Sequence, residues 1–448
     1  MRMSLLFLVL FVLVSKNLLG QVLPDIKELP ELKCLHTDAG KDSLQFPGTH
    51  ERFDSLYAQL DSFYNNGTGV LNVMHIGGSH VQAGHFTHRM SSNLSSFGRM
   101  KSAGQGLLFP FKALKTNAPS SYVLESVGKW TGSRCVQRNS ELPLGISGAY
   151  ALTSDTAAAL VLSLDSISAV PLQRLRILGE GSDSCVHPVL FCAGDTIYPL
   201  PYDGKPGFCF SLPQQTDSCA IFFRGLKQDS LHFAVRGILP ESGENGFNYL
   251  SLGINGASVP SWLNCTLFEE ELSLMPPHLV FLGIGINDAN VFPREFDKER
   301  FKANYRMLMQ RILSVNPLCC FVFITNNDCW FSVRGLRRQY NTNTPKVQQA
   351  MHELAQEFGG AVFDAFRLMG GMRSSAAWVR AGLQRSDHIH FTKKGYELWG
   401  DLLYNALMKD YIKVRNTKTH SIEESVMEDT SVRALPEDAG QEELSYIP

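Results

Sequence analysis

The chain has 448 residues, of which 44% are hydrophobic and 10% aromatic, enough to bury a full core and to build two or three folding units. Lys plus Arg (41) nearly balances Asp plus Glu (43), so no strong field points to nucleic acid or to an anionic membrane surface. A small or sugar-like partner suits this balance better.

Arg2 precedes the apolar run Leu5 to Val14, and the small Gly20 offers a cleavage site before Gln21. Residues 1–20 therefore read as an export signal, with the mature chain starting near Gln21. The run is shorter than the roughly 20 residues a bilayer-spanning helix needs, and no later segment is long and apolar enough to supply one. No Cys stands at the cleavage site to carry a lipid.

Val70 to Ile76 is a short apolar run that ends in Gly77 and Gly78, and an amphipathic stretch from Val81 to about Leu94 follows. This predicts strand, tight turn and helix. From about Lys115 to Glu244 the helical pattern gives way to short alternating runs at Ala159 to Leu164, Leu172 to Leu178, Ala220 to Phe223 and Leu231 to Val235, separated by Gly, Pro, Asp and Ser. That segment reads as a β-sandwich. Its cysteines Cys185, Cys192, Cys209 and Cys219 suit hairpin-like bridges, whereas Cys319 and Cys320, in an apolar run, read as buried thiols.

The α/β rhythm then resumes, with strands predicted at Tyr249 to Ile254, Leu279 to Ile284, Phe321 to Thr325 and Ala361 to Phe363. Helices are predicted at Phe296 to Ser314, Thr344 to Phe358 and Lys393 to Met408. The fold class that follows is α/β: a parallel sheet covered on both faces, interrupted by an inserted all-β sandwich. The expected units are the signal (1–20), a discontinuous α/β domain (21–114 and 245–413), the insert (115–244) and an acidic, disordered tail (414–448).

In open α/β sheets, reactive groups collect at the carboxyl ends of the strands. Ser79 follows the first strand in Gly77-Gly78-Ser79-His80, Gly256 the second in Asn255-Gly256, and Asn287 the third in Gly285-Ile286-Asn287-Asp288. Asp387-His388-Ile389-His390 stands just before the last helix. Taken singly, these are a helix cap, a turn glycine, another cap and a half-buried imidazole. Together they supply a hydroxyl, amide donors and a carboxylate three residues ahead of a His, able to take its Nδ1 proton and leave Nε2 to accept one from a serine.

In these blocks, their order and their strand contexts, the chain resembles the SGNH hydrolase superfamily, also called GDSL-like esterases, over about Asn72 to Leu94 and Tyr249 to Met408. The resemblance implies a flavodoxin-like three-layer domain that forms an acyl-enzyme. Ser79 would be the nucleophile, His390 the base and Asp387 its orienting carboxylate, with an oxyanion hole of the Ser79 amide, the Gly256 amide and the Asn287 side chain. Gly78 stands where the family usually has Asp. An insert at this position is similar to that of bacterial peptidoglycan O-acetylesterases, whose β-sandwich resembles family 35 carbohydrate-binding modules. That likeness implies an acetylated glycan substrate, no cofactor, and a periplasmic or extracellular location in a Gram-negative bacterium.

His75, His80, His85 and His88 crowd the serine block, but without helical i, i+4 spacing or an interleaved carboxylate, so no metal site is expected. Trp378, ahead of the Asp387 block, is a candidate for stacking on a sugar ring, with a core or lid role as its alternative. Two other functions use the same blocks: an O-acetyltransferase that passes the acyl group to a glycan hydroxyl, and a catalytically silent glycan-binding protein.

Overall fold

The computed structural model describes residues 24–37, 40–96, 102–104, 106–164, 172–213, 216, 218–227, 230–243, 245–331 and 339–432. The expected export signal lies outside these residues. Six strands, β1 (Val70–Gly77), β2 (Ser102–Gly104), β3 (Gly246–Gly253), β4 (Leu279–Gly283), β5 (Cys320–Ile324) and β6 (Ala361–Phe363), form one sheet in the order β6-β5-β4-β1-β3-β2. Every pairing in it is parallel. Apart from the short edge strand β2, this is the flavodoxin-like order, and β1 sits at its topological switch point between β3 and β4.

Each strand buries both faces because alternate residues enter different cores. Leu71 and Val73 of β1 pack with Phe53 and Tyr57 of the helix Glu51–Asn66, with Met90 of the helix His85–Ser95, and with Leu402 and Tyr411 of the last helix. Met74 and Ile76 point the other way, toward Trp262, Tyr305, Leu308 and Met351. The expected three-layer α/β arrangement is therefore present. Among the described residues, no helix is long and apolar enough to cross a membrane.

Two antiparallel five-stranded sheets lie between Leu124 and Glu241, inside the predicted all-β segment. Leu160, Leu162, Ile177, Ile221, Phe233 and Val235 fill the space between them. The outer face of one sheet is not free. Ala149, Ala151, Leu178, Ala234 and Leu239 belong to the same core cluster as Trp262 and Tyr305 of the α/β domain. Arg236, on the strand Phe233–Glu241, donates from Nε to Glu271 Oε1 (2.6 Å) on the helix Phe268–Leu272, and Glu271 Oε2 accepts the Ile146 amide (2.8 Å). The junction is thus apolar around one buried ion pair.

The structure departs from the sequence reading at four points. The helix expected over Val81 to Leu94 is two helices, Ser79–Gln82 and His85–Ser95, broken at Gly84, whose φ of 79° favours glycine. The helix Glu51–Asn66 was not anticipated, although its apolar residues face the core. Of the four insert cysteines, Cys192 and Cys219 are bridged, while Cys185 and Cys209 are free. The last helix runs Lys393–Val432, so the first part of the expected disordered tail is helical. The physical reason is the absence of a stop signal: after Gly400 no Gly or Pro occurs until Pro436. Residues after 432 lie outside the described ones.

Candidate active site

The turn after β1 carries Ser79. Gly78 is closely approached: a Cβ at this position would lie 3.2 Å from Asn287 Nδ2 and 3.5 Å from the Ala257 carbonyl oxygen, so a side chain there would press on the Asn287 amide by a few tenths of an ångström. The Val81 and Gln82 amides bond back to the Gly78 carbonyl (3.2 and 3.0 Å), which turns the chain into the helix that Ser79 opens.

Ser79 Oγ lies 2.8 Å from His390 Nε2, and His390 Nδ1 lies 2.9 Å from Asp387 Oδ2. The other carboxylate oxygen, Asp387 Oδ1, accepts the Ile389 and His390 amides, both at 2.9 Å. Burial pushes the Asp387 carboxyl upward, but the bonds from His390 and the two amides outweigh it and hold the group below the ordinary carboxylate range. Asp387 is therefore ionised near neutrality, a fixed negative charge against the Nδ1 side of the ring.

The loop holding these groups is braced from outside. His388 has a φ of 58°, a left-handed conformation that non-glycine residues adopt at a cost. Its ring stacks on Trp330 at 3.9 Å with an interplanar angle of 3°. Its Nδ1 lies 2.8 Å from Ser375 Oγ, and its carbonyl accepts the Trp330 amide (3.1 Å). The Arg385 amide donates to the His390 carbonyl (2.8 Å), closing the turn.

Gly256 and Asn287 come from the two strands that flank β1. Gly256 has a φ of 83° and faces open space. Asn287 Nδ2 donates to the Ala257 carbonyl (2.8 Å), which orients its amide beside Gly78 and keeps its second hydrogen available. A polar clasp joins this side to the insert: the Asn255 amide donates to Gln82 Oε1 (2.6 Å), Gln82 Nε2 donates to the Asn117 carbonyl (2.8 Å), and Asn255 Nδ2 donates to Asn117 Oδ1 (2.6 Å).

Ser79, Gly256, Asn287 and His390 all line one open cleft of about 960 Å³, with Asp387 directly behind His390. Trp378 does not reach it. Its side chain is fully buried, stacks on Trp399 at 5.1 Å and donates from Nε1 to the Cys34 carbonyl (2.8 Å). The sugar-stacking candidate is thus a core residue, held by a polypeptide segment more than three hundred residues away, which no local pattern reveals. The cleft wall instead contains Trp330, Asn117, Arg385 and Lys393, which the sequence reading passed over. A signal for Trp330 did exist, because Asn326-Asn327-Asp328-Cys329-Trp330 follows β5, one more strand end. Among the described residues, no group of three His, Cys, Asp or Glu is arranged to hold a metal ion.

Residues 229–398 match the model of the GDSL-like lipase/acylhydrolase family. The solved structure of a peptidoglycan O-acetylesterase is similar over 83% of this chain and 99% of its own, with a TM-score of 0.64 and 18% sequence identity. An acetyl xylan esterase (15% identity, TM-score 0.29) covers 36% of this chain and 81% of its own. A family 3 carbohydrate esterase from Talaromyces cellulolyticus (14% identity, TM-score 0.27) covers 39% and 76%. No curated protein matches the sequence significantly.

Proposed function

We propose that this chain, whose residues 229–398 carry a GDSL-like lipase/acylhydrolase domain, is an exported serine esterase that removes O-acetyl groups from a glycan, with peptidoglycan as the first substrate to test. The observation that carries the reading is the continuous bond path from Ser79 Oγ through the His390 ring to Asp387, opening on a cleft large enough for sugar rings.

In this mechanism His390 Nε2 takes the Ser79 proton as Oγ attacks the ester carbonyl. Asp387 fixes the tautomer with Nδ1 protonated and stabilises the imidazolium. Developing charge on the carbonyl oxygen is met by the Ser79 and Gly256 amides and by the free hydrogen of Asn287 Nδ2. The acyl–oxygen bond breaks, the glycan alkoxide takes the proton from His390, and acyl-Ser79 remains. Water then gives a proton to His390, adds to the acyl carbon, and acetate departs as Ser79 regains its proton. Export to the periplasm or cell exterior is supported by the pattern of residues 1–20 and by the acetylesterase fold.

The test has two arms. A serine-directed phosphonate should label Ser79 in the wild type and fail to label Ser79→Ala, and purified enzyme should release acetate from O-acetylated peptidoglycan faster than from acetylated xylan. An unlabelled wild type would leave a glycan-binding protein. Transfer of acetyl to a sugar acceptor in preference to water would make the chain a transferase.

A further inference from the structure

The segment after β5, Thr325 to Cys329, is buried at every residue although it carries two Asn and one Asp. Burying such groups is costly unless they find partners, and three contacts lead from this stretch to the loop that holds Asp387 and His390. Asn327 Nδ2 donates to the Ile389 carbonyl (3.3 Å). Asp328 Oδ2 accepts the Ser375 amide (2.9 Å), and Ser375 Oγ lies 2.8 Å from His388 Nδ1. Next along the chain, the Trp330 amide donates to the His388 carbonyl (3.1 Å) while its ring stacks on that of His388.

These contacts fall on two particular peptide groups. The one joining His388 to Ile389 gives its N–H to Asp387 Oδ1 and its carbonyl to the Trp330 amide. The one joining Ile389 to His390 gives its N–H to the same Oδ1 and its carbonyl to Asn327. Each peptide that holds the Asp387 carboxylate is thus itself held from the far side by the segment after β5. His388 completes the clamp with its side chain. A φ of 58° is adopted most readily by Gly or Asn, so what His brings to this position is its ring, stacked on Trp330.

We propose that His388, Trp330 and Asn327 are positioning residues for the triad: they fix the two peptide groups that aim the Asp387 carboxylate, and through it the reach of His390 Nε2 to Ser79. None of them lies on the proton path from Ser79 to Asp387. The inference rests on the acyl-enzyme reading above. Because a misplacement of about 1 Å in a reacting group costs about 10²-fold in rate, loss of the clamp belongs in kcat rather than in KM.

The test compares His388→Gly, which takes the same φ without strain and deletes the ring, with His388→Phe, which keeps a ring to stack on Trp330. Each full-length protein is titrated with a serine-directed phosphonate, so that kcat on an aryl acetate is counted per Ser79 able to take label. His388→Gly should lower kcat by about ten- to a hundredfold with KM little changed, and His388→Phe should recover most of that loss. Crystal structures should show His390 Nε2 out of hydrogen-bond reach of Ser79 Oγ in the first variant and back within it in the second. If His388→Gly fails to fold, His388→Asn, which also tolerates this φ, takes its place with the same expected fall. An unchanged kcat in the variants without a ring, or a lower melting temperature with kcat per labelled site intact, would overturn the proposal and leave His388 a residue of the fold alone. A wild type that takes no label would instead defeat the acyl-enzyme reading, and the proposal with it.

Discussion

Replacing Asp387 with Asn changes one charge and one atom, and the local bonding dictates how the new amide must sit. Asp387 Oδ1 accepts two backbone amides at 2.9 Å, while Oδ2 faces His390 Nδ1. If the Asn oxygen turned toward His390, the two backbone N–H groups would meet an NH2 group, at about 1–3 kcal/mol for each donor left unsatisfied. The oxygen therefore stays on the amides and the NH2 donates to Nδ1. That forces the ring proton onto Nε2, where it points at Ser79 and can no longer accept the serine proton. The same tautomer error in a serine protease lowers kcat by about four orders of magnitude, or about 5 kcal/mol of barrier. Initial rates on an aryl acetate, with a crystal structure of the variant to verify unchanged backbone, measure the effect. Retention of more than about a tenth of the wild-type kcat would refute the reasoning, because it lies far above what a triad member leaves behind.

Asn287→Ala should lower kcat by about two to three orders of magnitude with little change in KM, as expected for a donor used mainly in the transition state; steady-state kinetics decide this. Burial raises the Asp288 carboxyl to about 7, with the Val259 amide bond opposing the shift. Its protonated form is thus favoured by folding, and the stability it contributes is fully present below about pH 4 and lost as pH climbs to about 7. Melting temperature should fall across that window in the wild type, and Asp288→Asn should flatten the fall. Glu271→Ala strips Arg236 of its buried partner and leaves only the half-exposed Glu180 at 3.3 Å, so it should cost about 3 kcal/mol in denaturant unfolding, the low end for a broken buried pair, while the double change Arg236→Met with Glu271→Leu should cost less than the single one.

The parallel sheet was legible because its strands are continuous apolar runs bounded by Gly, Asn and Asp, and the helix Thr344–Phe358 because its apolar residues recur at helical spacing. The groups that converge on the cleft were legible for a related reason: Ser79, Gly256, Asn287 and Asp387-His390 each interrupt an apolar pattern where a strand ends or a helix begins. What the sequence hid is what only long-range packing decides. Trp378 and Trp330 look alike in isolation, yet one is stacked in the core on Trp399 and the other lines the cleft beside His388. Likewise nothing near Cys192 selects Cys219 over Cys209, since the choice follows from strand neighbours joined only in the folded sheet. The junction between the insert and the α/β domain was hidden too, because residues such as Leu178 and Ala234 show the same alternation whether their face meets solvent or Trp262.

That junction has a consequence for how the cleft works. Asn117, at the start of the insert, is tied to Gln82 and Asn255, three residues past Ser79 and one before Gly256, and the inserted sheet behind it shares an apolar core with the α/β domain. Swinging the insert aside would expose that core to water and pull Arg236 from Glu271. The wall it contributes is therefore a rigid gauge rather than a lid: any molecule that enters must already fit a cleft walled by Asn117 and Trp330, whose Asn117 side is fixed by packing before any chemistry begins.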